Sequence, residues 1–220
     1  MIKEIMGESN MPSIVNEIHP KAIVIATQNE KKRKEIIEIL KNVPGILLRG
    51  VEDFPFLPEV EEDGNSFREN AIKKATILAK SCNALAMADD SGLEINALNG
   101  RPGIYSSRYA GPNATDEKNI EKVLSELRGV PKEKRTARFL CSIALASPHQ
   151  LLFVAEGRCE GFITEQPRGK GGFGYDPIFY VPDYNQTFAE LNPLLKNSIS
   201  HRGLALKQFK EQIIPLIQRF

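Results

Sequence analysis

The segment KAIVIATQNEKKRKEIIEIL, residues 21–40, changes its periodicity half-way along, and that change decides the fold class. Lys21–Ala26 is a short apolar run rich in β-branched residues, which reads as a buried strand. Asn29 stands where a helix N-cap belongs, ahead of Ile36, Ile37 and Leu40 at helical spacing. The reading is strand, turn, helix. Downstream, Ile46–Val51 is a second strand, followed by a loop rich in proline and acid from Glu52 to Gly64. Ser66 and Glu69 form an S-x-x-E capping box, and Phe67, Ala71, Ala75, Leu78 and Cys82 predict a helix over Phe67–Ser81. Ala84–Ala88 is a buried strand that ends in Asp89-Asp90-Ser91-Gly92. Thr115 caps a helix whose inner face is Ile120, Val123, Leu124 and Leu127. Alternation from Ala137 to Leu145, a turn at Pro148-His149-Gln150 and the run LLFVAEG predict an antiparallel hairpin. A further strand near Arg158–Thr164 enters the glycine-rich stretch Gly169–Gly174, and Pro177–Val181 leaves it as a strand. Leu206, Phe209, Ile213, Leu216 and Phe220 share one face of a terminal helix that Pro215 should kink. Helix-connected strands early and hairpins late imply one α/β domain with a mixed central sheet and flanking helices. It spans residues 21–220, with Met1–Pro20 as an N-terminal appendage lacking any clean period.

Composition narrows the function. Lys and Arg number 29 against 28 Asp and Glu, so the net charge of +1 lacks the excess that general binding to nucleic acid needs. No signal peptide or bilayer-length apolar run is apparent, which predicts a soluble cytoplasmic protein without a membrane partner. Three cysteines without a C-x-x-C read as reduced core thiols. Three histidines cannot make a His-rich metal cluster, so carboxylates would hold any metal, which points to magnesium or manganese.

Four segments could carry chemistry. Ala26–Lys32 runs from a strand into a helix N-terminus, where free N–H groups favour phosphate, although Asn29 is equally an ordinary cap. Asp89-Asp90 follows a buried strand. Adjacent half-buried carboxylates repel unless a proton or cation lies between them, so the pair reads as a magnesium site or as an Asp-Ser-Gly turn. Gly169–Gly174 matches G-x-G-x-x-G, but a strand rather than a helix follows, which excludes a dinucleotide fold. Its glycines suit close backbone approach to a ligand, with Phe173 and Tyr175 as stacking faces. In Lys196–Gly203, Ser200 caps the last helix and leaves His201 and Arg202 in its first turn, where cations oppose the helix dipole and suggest a ligand.

The ordered set ATQNEKK, EEDGNSFRENAIKKA, ADDSGLEINALNGRPGIYSSRYAG, GGFGYDPIF and ISHRGLALK resembles the inosine triphosphate pyrophosphatase family, the XTP/dITP diphosphatases, from about Lys21 onward. The resemblance implies two lobes around a nucleotide cleft above a long mixed sheet. It also implies a magnesium-dependent homodimer that hydrolyses ITP, dITP and XTP to the monophosphate and pyrophosphate. By the same resemblance the loop Thr27, Gln28, Asn29, Glu30, Lys31 and Lys32 holds the triphosphate, with Gln28 and Lys31 replacing glycines common there. Glu62 and Asp90 are the metal-linked carboxylates, Asp90 is also the proton acceptor, and Ser91 lies beside the substrate. Phe173, Gly174, Tyr175 and Asp176 contact the nucleotide, and Lys196, His201 and Arg202 complete the contacts. Arg202, His201 and backbone N–H groups of Phe173–Asp176 would donate to the purine O6, rejecting adenine. An Asp near its ordinary pKa is a weak base, so Asp90 is either raised by neighbouring acids or acts by orienting water at the metal. Two rivals are a Maf-like pyrophosphatase of other base specificity and a nucleotide sensor that does not hydrolyse. The segments near Phe173 and His201 argue against the first, and the presence of both Glu62 and Asp90 argues against the second.

Overall fold

The computed structural model describes residues 20–54 and 56–217. The appendage before Pro20 and the expected packing of Phe220 therefore lie outside the described residues. Strand β1 (Lys21–Ile25) leads through helix α1 (Glu30–Leu40) to β2 (Ile46–Gly50), and α2 (Phe67–Cys82) leads to β3 (Leu85–Ile95). Helix α3 (Asp116–Glu126) precedes the hairpin β4 (Thr136–Ala146) and β5 (Leu151–Ile163). The short strands β6 (Phe179–Val181) and β7 (Gln186–Thr187) follow, and α4 (Pro193–Ile199) and α5 (His201–Ile217) close the chain. One sheet results, in the order β2-β1-β3-β4-β5-β6-β7. Its β2-β1-β3 part is parallel and the remainder antiparallel, the mixed arrangement expected from early crossovers and late hairpins.

Caps fix the helix starts. Asn29 Oδ1 accepts the N–H groups of Lys31 and Lys32 at 3.0 and 3.1 Å. Ser66 Oγ accepts that of Glu69, but the Glu69 carboxylate reaches back to Asn65 N–H, one residue before the cap. On α1, Ile36 and Leu40 are buried, whereas Ile37 faces outward.

Period-two alternation sorts the sheet's side chains into two layers. Ile23, Ile25, Met87, Ile143 and Leu145 pack against α1 and α5. Val24, Ala26, Ala86, Ala88, Ala144 and Ala146 pack against α2, whose own contact residues include Ala71, Ala75 and Ala79, so this interface is built from small side chains. The far ends of β3, β4 and β5 enter another apolar cluster with α3, β6 and the segment around Phe188. These are the two lobes, and continuous strands join them.

Two strands run longer than expected. β3 does not stop at Ala88 but continues through Asp89-Asp90-Ser91-Gly92 to Ile95, paired with β4 from Ala86↔Ala146 to Ile95↔Ala137. The Asp-Ser-Gly turn is therefore absent. Leu93 and Ile95 resume the buried alternation, and β4 offers an unbroken partner. Likewise the strand expected near Arg158 is the second half of β5, continuous over 13 residues. Gly157 does not interrupt it. A Cβ there would lie 2.2 Å from the His201 carbonyl oxygen and 2.5 Å from Ala205 N, so this glycine lets the start of α5 rest directly on the sheet.

Candidate active site

A cleft of about 880 Å³ opens where β3 passes from one lobe to the other. Its floor is Asp89–Gly92, and its walls come from the start of α1, the acidic loop ending at Glu62, Lys74 of α2, the glycine-rich segment and the α4–α5 junction.

Neighbours in a strand point to opposite faces, and this separates the two aspartates. Asp89 faces α1 and α5, where Arg202 Nε and Nη2 donate to its Oδ2 at 3.1 and 3.0 Å and Lys32 Nζ stands 3.4 Å from Oδ1. Burial opposes its charge, yet Lys32 and Arg202 hold its pKa well below the usual carboxylate range. Asp90 faces α2, where Asn70 Nδ2 donates at 2.9 Å and Lys74 Nζ lies 3.8 Å away. Burial lifts the Asp90 pKa above normal; Lys74 lowers it and Glu62 lifts it further. The expectation that the adjacent acids share one cation is corrected by the strand's alternation: each has its own.

The partner of Asp90 is Glu62. Lys74 Nζ donates to Glu62 Oε1 at 2.6 Å and to the Asp89 carbonyl at 2.7 Å, so it stands between the two carboxylates. Arg108 supports the Glu62 loop through its carbonyl at 3.1 Å. Lys74 was not singled out in the sequence. The signal was available in Asn70 and Lys74, polar residues four apart beside the apolar stripe of α2.

A chain of alternating charge crosses the opposite wall. From Asp89 it passes to Arg202, then to Glu35 Oε2 at 2.6 Å, from Glu35 Oε1 to Lys196 Nζ at 2.8 Å, and on to Asp176 Oδ2 at 2.6 Å. Burial would raise Glu35, but Arg202 and Lys196 hold it below its ordinary value. Burial would discharge Lys196, but Asp176 and Glu35 keep its pKa above normal.

Of the residues predicted to bind substrate, Thr27, Gln28, Asn29, Lys32, Ser91, Phe173, Gly174, Tyr175, Asp176, Lys196, His201 and Arg202 all line this cleft, with Glu62 and Asp90. Glu30 and Lys31 do not: Glu30 pairs with Arg33, and Lys31 reaches Asp116 at 3.8 Å on the rim. His201 is no cation. Burial, with Arg202 and Lys196 nearby, drives its pKa well below 6.5, and the neutral ring stacks on Phe139 at 4.5 Å. Backbone donors around Phe173 are also less available than expected. Phe173 N–H is taken by Asp176 Oδ2, Gly174 N–H by Asp116 Oδ2 and Asp176 N–H by the Phe173 carbonyl. Phe173 itself has Lys196 Nζ 4.8 Å and the Arg202 guanidinium 5.6 Å from its ring centre.

Seven carboxylates and only five cationic side chains line the cleft, so a polyanion cannot be neutralised there by the protein alone. Among the described residues no three metal-ligating side chains converge. Glu62 and Asp90 nevertheless supply two hard oxygen donors beside an open cleft. That donor set fits a divalent cation of the magnesium type, which takes one or two carboxylates and completes its shell with water and phosphate.

Two carboxylates beside an open cleft, opposite a wall that carries Lys32, Lys196 and Arg202, define the class of mixed-sheet α/β protein whose site suits a negatively charged ligand accompanied by a divalent cation. The sequence model of the Ham1 family matches residues 23–212, and the chain belongs to this family. It is 55% identical over 189 residues to the dITP/XTP pyrophosphatase of Desulforamulus reducens, covering 86% of this chain and 94% of that protein. The dITP/XTP pyrophosphatase of Geobacter sulfurreducens is 52% identical over 191 residues, with coverages of 87% and 96%. The structure of a HAM1 protein from Coxiella burnetii superimposes with a TM-score of 0.79 at 48% identity, over 87% of this chain and 97% of that one.

Proposed function

We propose that this chain hydrolyses the non-standard purine nucleoside triphosphates ITP, dITP and XTP to the monophosphate and pyrophosphate, as the names of its relatives suggest for them. The observation that carries the reading is the division of labour across β3. Asp90, Glu62 and Lys74 stand on one face, and Asp89, Arg202, Glu35, Lys196 and Asp176 stand on the other.

On this reading Lys32 and Lys196 take the phosphates, Arg202 donates to the purine O6 and Phe173 stacks on the ring. Glu62 and Asp90 would hold a magnesium ion, which supplies charge neutralisation for the triphosphate. Asp90, with its raised pKa, accepts the proton of the attacking water. Lys74 opposes the charge that accumulates between the two acids. Neutral His201 fixes the wall against Phe139 and offers one ring nitrogen to the base. The protein acts in the cytoplasm as a homodimer, and among the described residues no helix is long and apolar enough to cross a membrane.

The test is a panel of nucleoside triphosphates with magnesium, following both phosphorus products. One pyrophosphate per ITP and a rate with ATP lower by orders of magnitude are expected. Stoichiometric early orthophosphate, or equal rates with ITP and ATP, would contradict the reading.

A further inference from the structure

We propose that Glu35 is a positioning residue: through Arg202 it supports base selection and through Lys196 it supports phosphate binding, by holding both cations so that their remaining hydrogen-bond donors serve the cleft. The inference rests on the reading of Arg202 and Lys196 as substrate contacts.

A donor count motivates it. A guanidinium has five N–H groups. In Arg202, Nε donates to Asp89, Nη2 donates to Asp89 and Ser91, and Nη1 donates to Glu35. Four of the five are thereby committed, and the fifth is on Nη1, the nitrogen that Glu35 holds. An ammonium has three N–H groups. Those of Lys196 go to Asp176 and Glu35, leaving one. On Lys196, whose ammonium rotates freely, Glu35 and Asp176 together fix the direction of the third N–H. On Arg202, whose plane Asp89 and Ser91 also hold, Glu35 takes one Nη1 hydrogen and anchors that end of the guanidinium, so that a single N–H is left over. Both oxygens of one carboxylate perform this, at 2.8 and 2.6 Å.

Glu35 does not itself line the cleft, whereas Lys196 and Arg202 do. Its effect must therefore pass through them. Its place in the chain is equally telling. It lies three residues after Lys32, so α1 carries both a phosphate-facing lysine and the carboxylate behind the base-facing arginine. One rigid helix thereby sets the distance between the phosphate end and the base end of the site.

The experiment measures kcat and KM for ITP and ATP with Glu35→Gln, Glu35→Asp, Arg202→Ala and the double variant Glu35→Gln/Arg202→Ala, with thermal midpoints alongside. Misaimed donors should lower kcat/KM for ITP by about 10- to 100-fold, mostly through KM, and reduce the ITP-over-ATP ratio. Glu35→Asp keeps a buried negative charge but is too short to span both cations, so it should lose selectivity as Glu35→Gln does. In the Arg202→Ala background, Glu35→Gln should leave the ratio where Arg202→Ala put it. A wild-type ratio in Glu35→Asp, or independent multiplicative losses in the double variant, would overturn the proposal. Because Glu35→Asp retains the charge, it carries the test even if Glu35→Gln fails to fold. Arg202→Ala with an unchanged ratio would instead overturn the base-reading role of Arg202 and, with it, the support for base selection ascribed to Glu35.

Discussion

Burial lifts the Asp90 carboxyl, Lys74 draws it down and Glu62 lifts it again, so the charged form is held at a cost to the fold. A carboxyl whose folded pKa is raised stabilises the protein at low pH, and that contribution is lost as pH rises through the folded value. At pH 7, Asp90→Asn should therefore reduce turnover about 100- to 1000-fold, some 3–4 kcal/mol of barrier, without lowering the thermal midpoint. Measuring kcat and thermal unfolding on the same preparation checks it; a lowered midpoint would show that charged Asp90 supports the fold instead. Lys74 supplies the opposing influence. Its replacement in Lys74→Met removes the pull that lowers Asp90, so the acidic limb of the kcat/KM profile for ITP should move to higher pH. An unmoved limb would detach that limb from Asp90.

At the scale of elements, α5 matters because it seats two cleft residues on β5 with almost no intervening side chain. Gly157→Ala would push a methyl into the His201 carbonyl and Ala205 N, which are backbone atoms and cannot rotate away. The expected loss is about 1–3 kcal/mol, with a raised KM for ITP because His201 and Arg202 move with the helix. Denaturant unfolding and steady-state kinetics read the two effects, and wild-type values in both would refute the close-packing account. This glycine also shows where the sequence is mute. Caps at Asn29, Ser66 and Thr115 and the alternation through Ala137–Leu145 were legible because local chemistry decides them. Gly157 read as nothing in particular, and Asp89-Asp90-Ser91-Gly92 read equally as a magnesium site or as a turn, because what approaches these residues is decided by distant chain. Similarly, the motif residues Lys196 and Arg202 could be picked out by resemblance, but Glu35 could not be picked out by type, and Lys74 showed only as a polar residue four after Asn70. Their importance comes from which charges the fold brings to them.

Over the whole molecule, β3, β4 and β5 contribute to every major apolar cluster apart from the stretch of β5 that passes α2, where Val154 packs only at the margin. The two lobes share these strands and cannot lose one without fraying the other. The described domain should therefore unfold in one cooperative step, with calorimetric and van't Hoff enthalpies that agree; two resolved transitions would show that the lobes are separable. The same shared strand makes the site depend on parity. Asp89 pairs with Ile143 and Asp90 with Ser142, and each acid reaches its own helix layer only because of where it falls in the pleat. One residue inserted ahead of Asp89 would send each carboxylate to the other's cations while leaving composition nearly intact, whereas two inserted residues would restore the sides. Anyone grafting or redesigning this strand must therefore count modulo two.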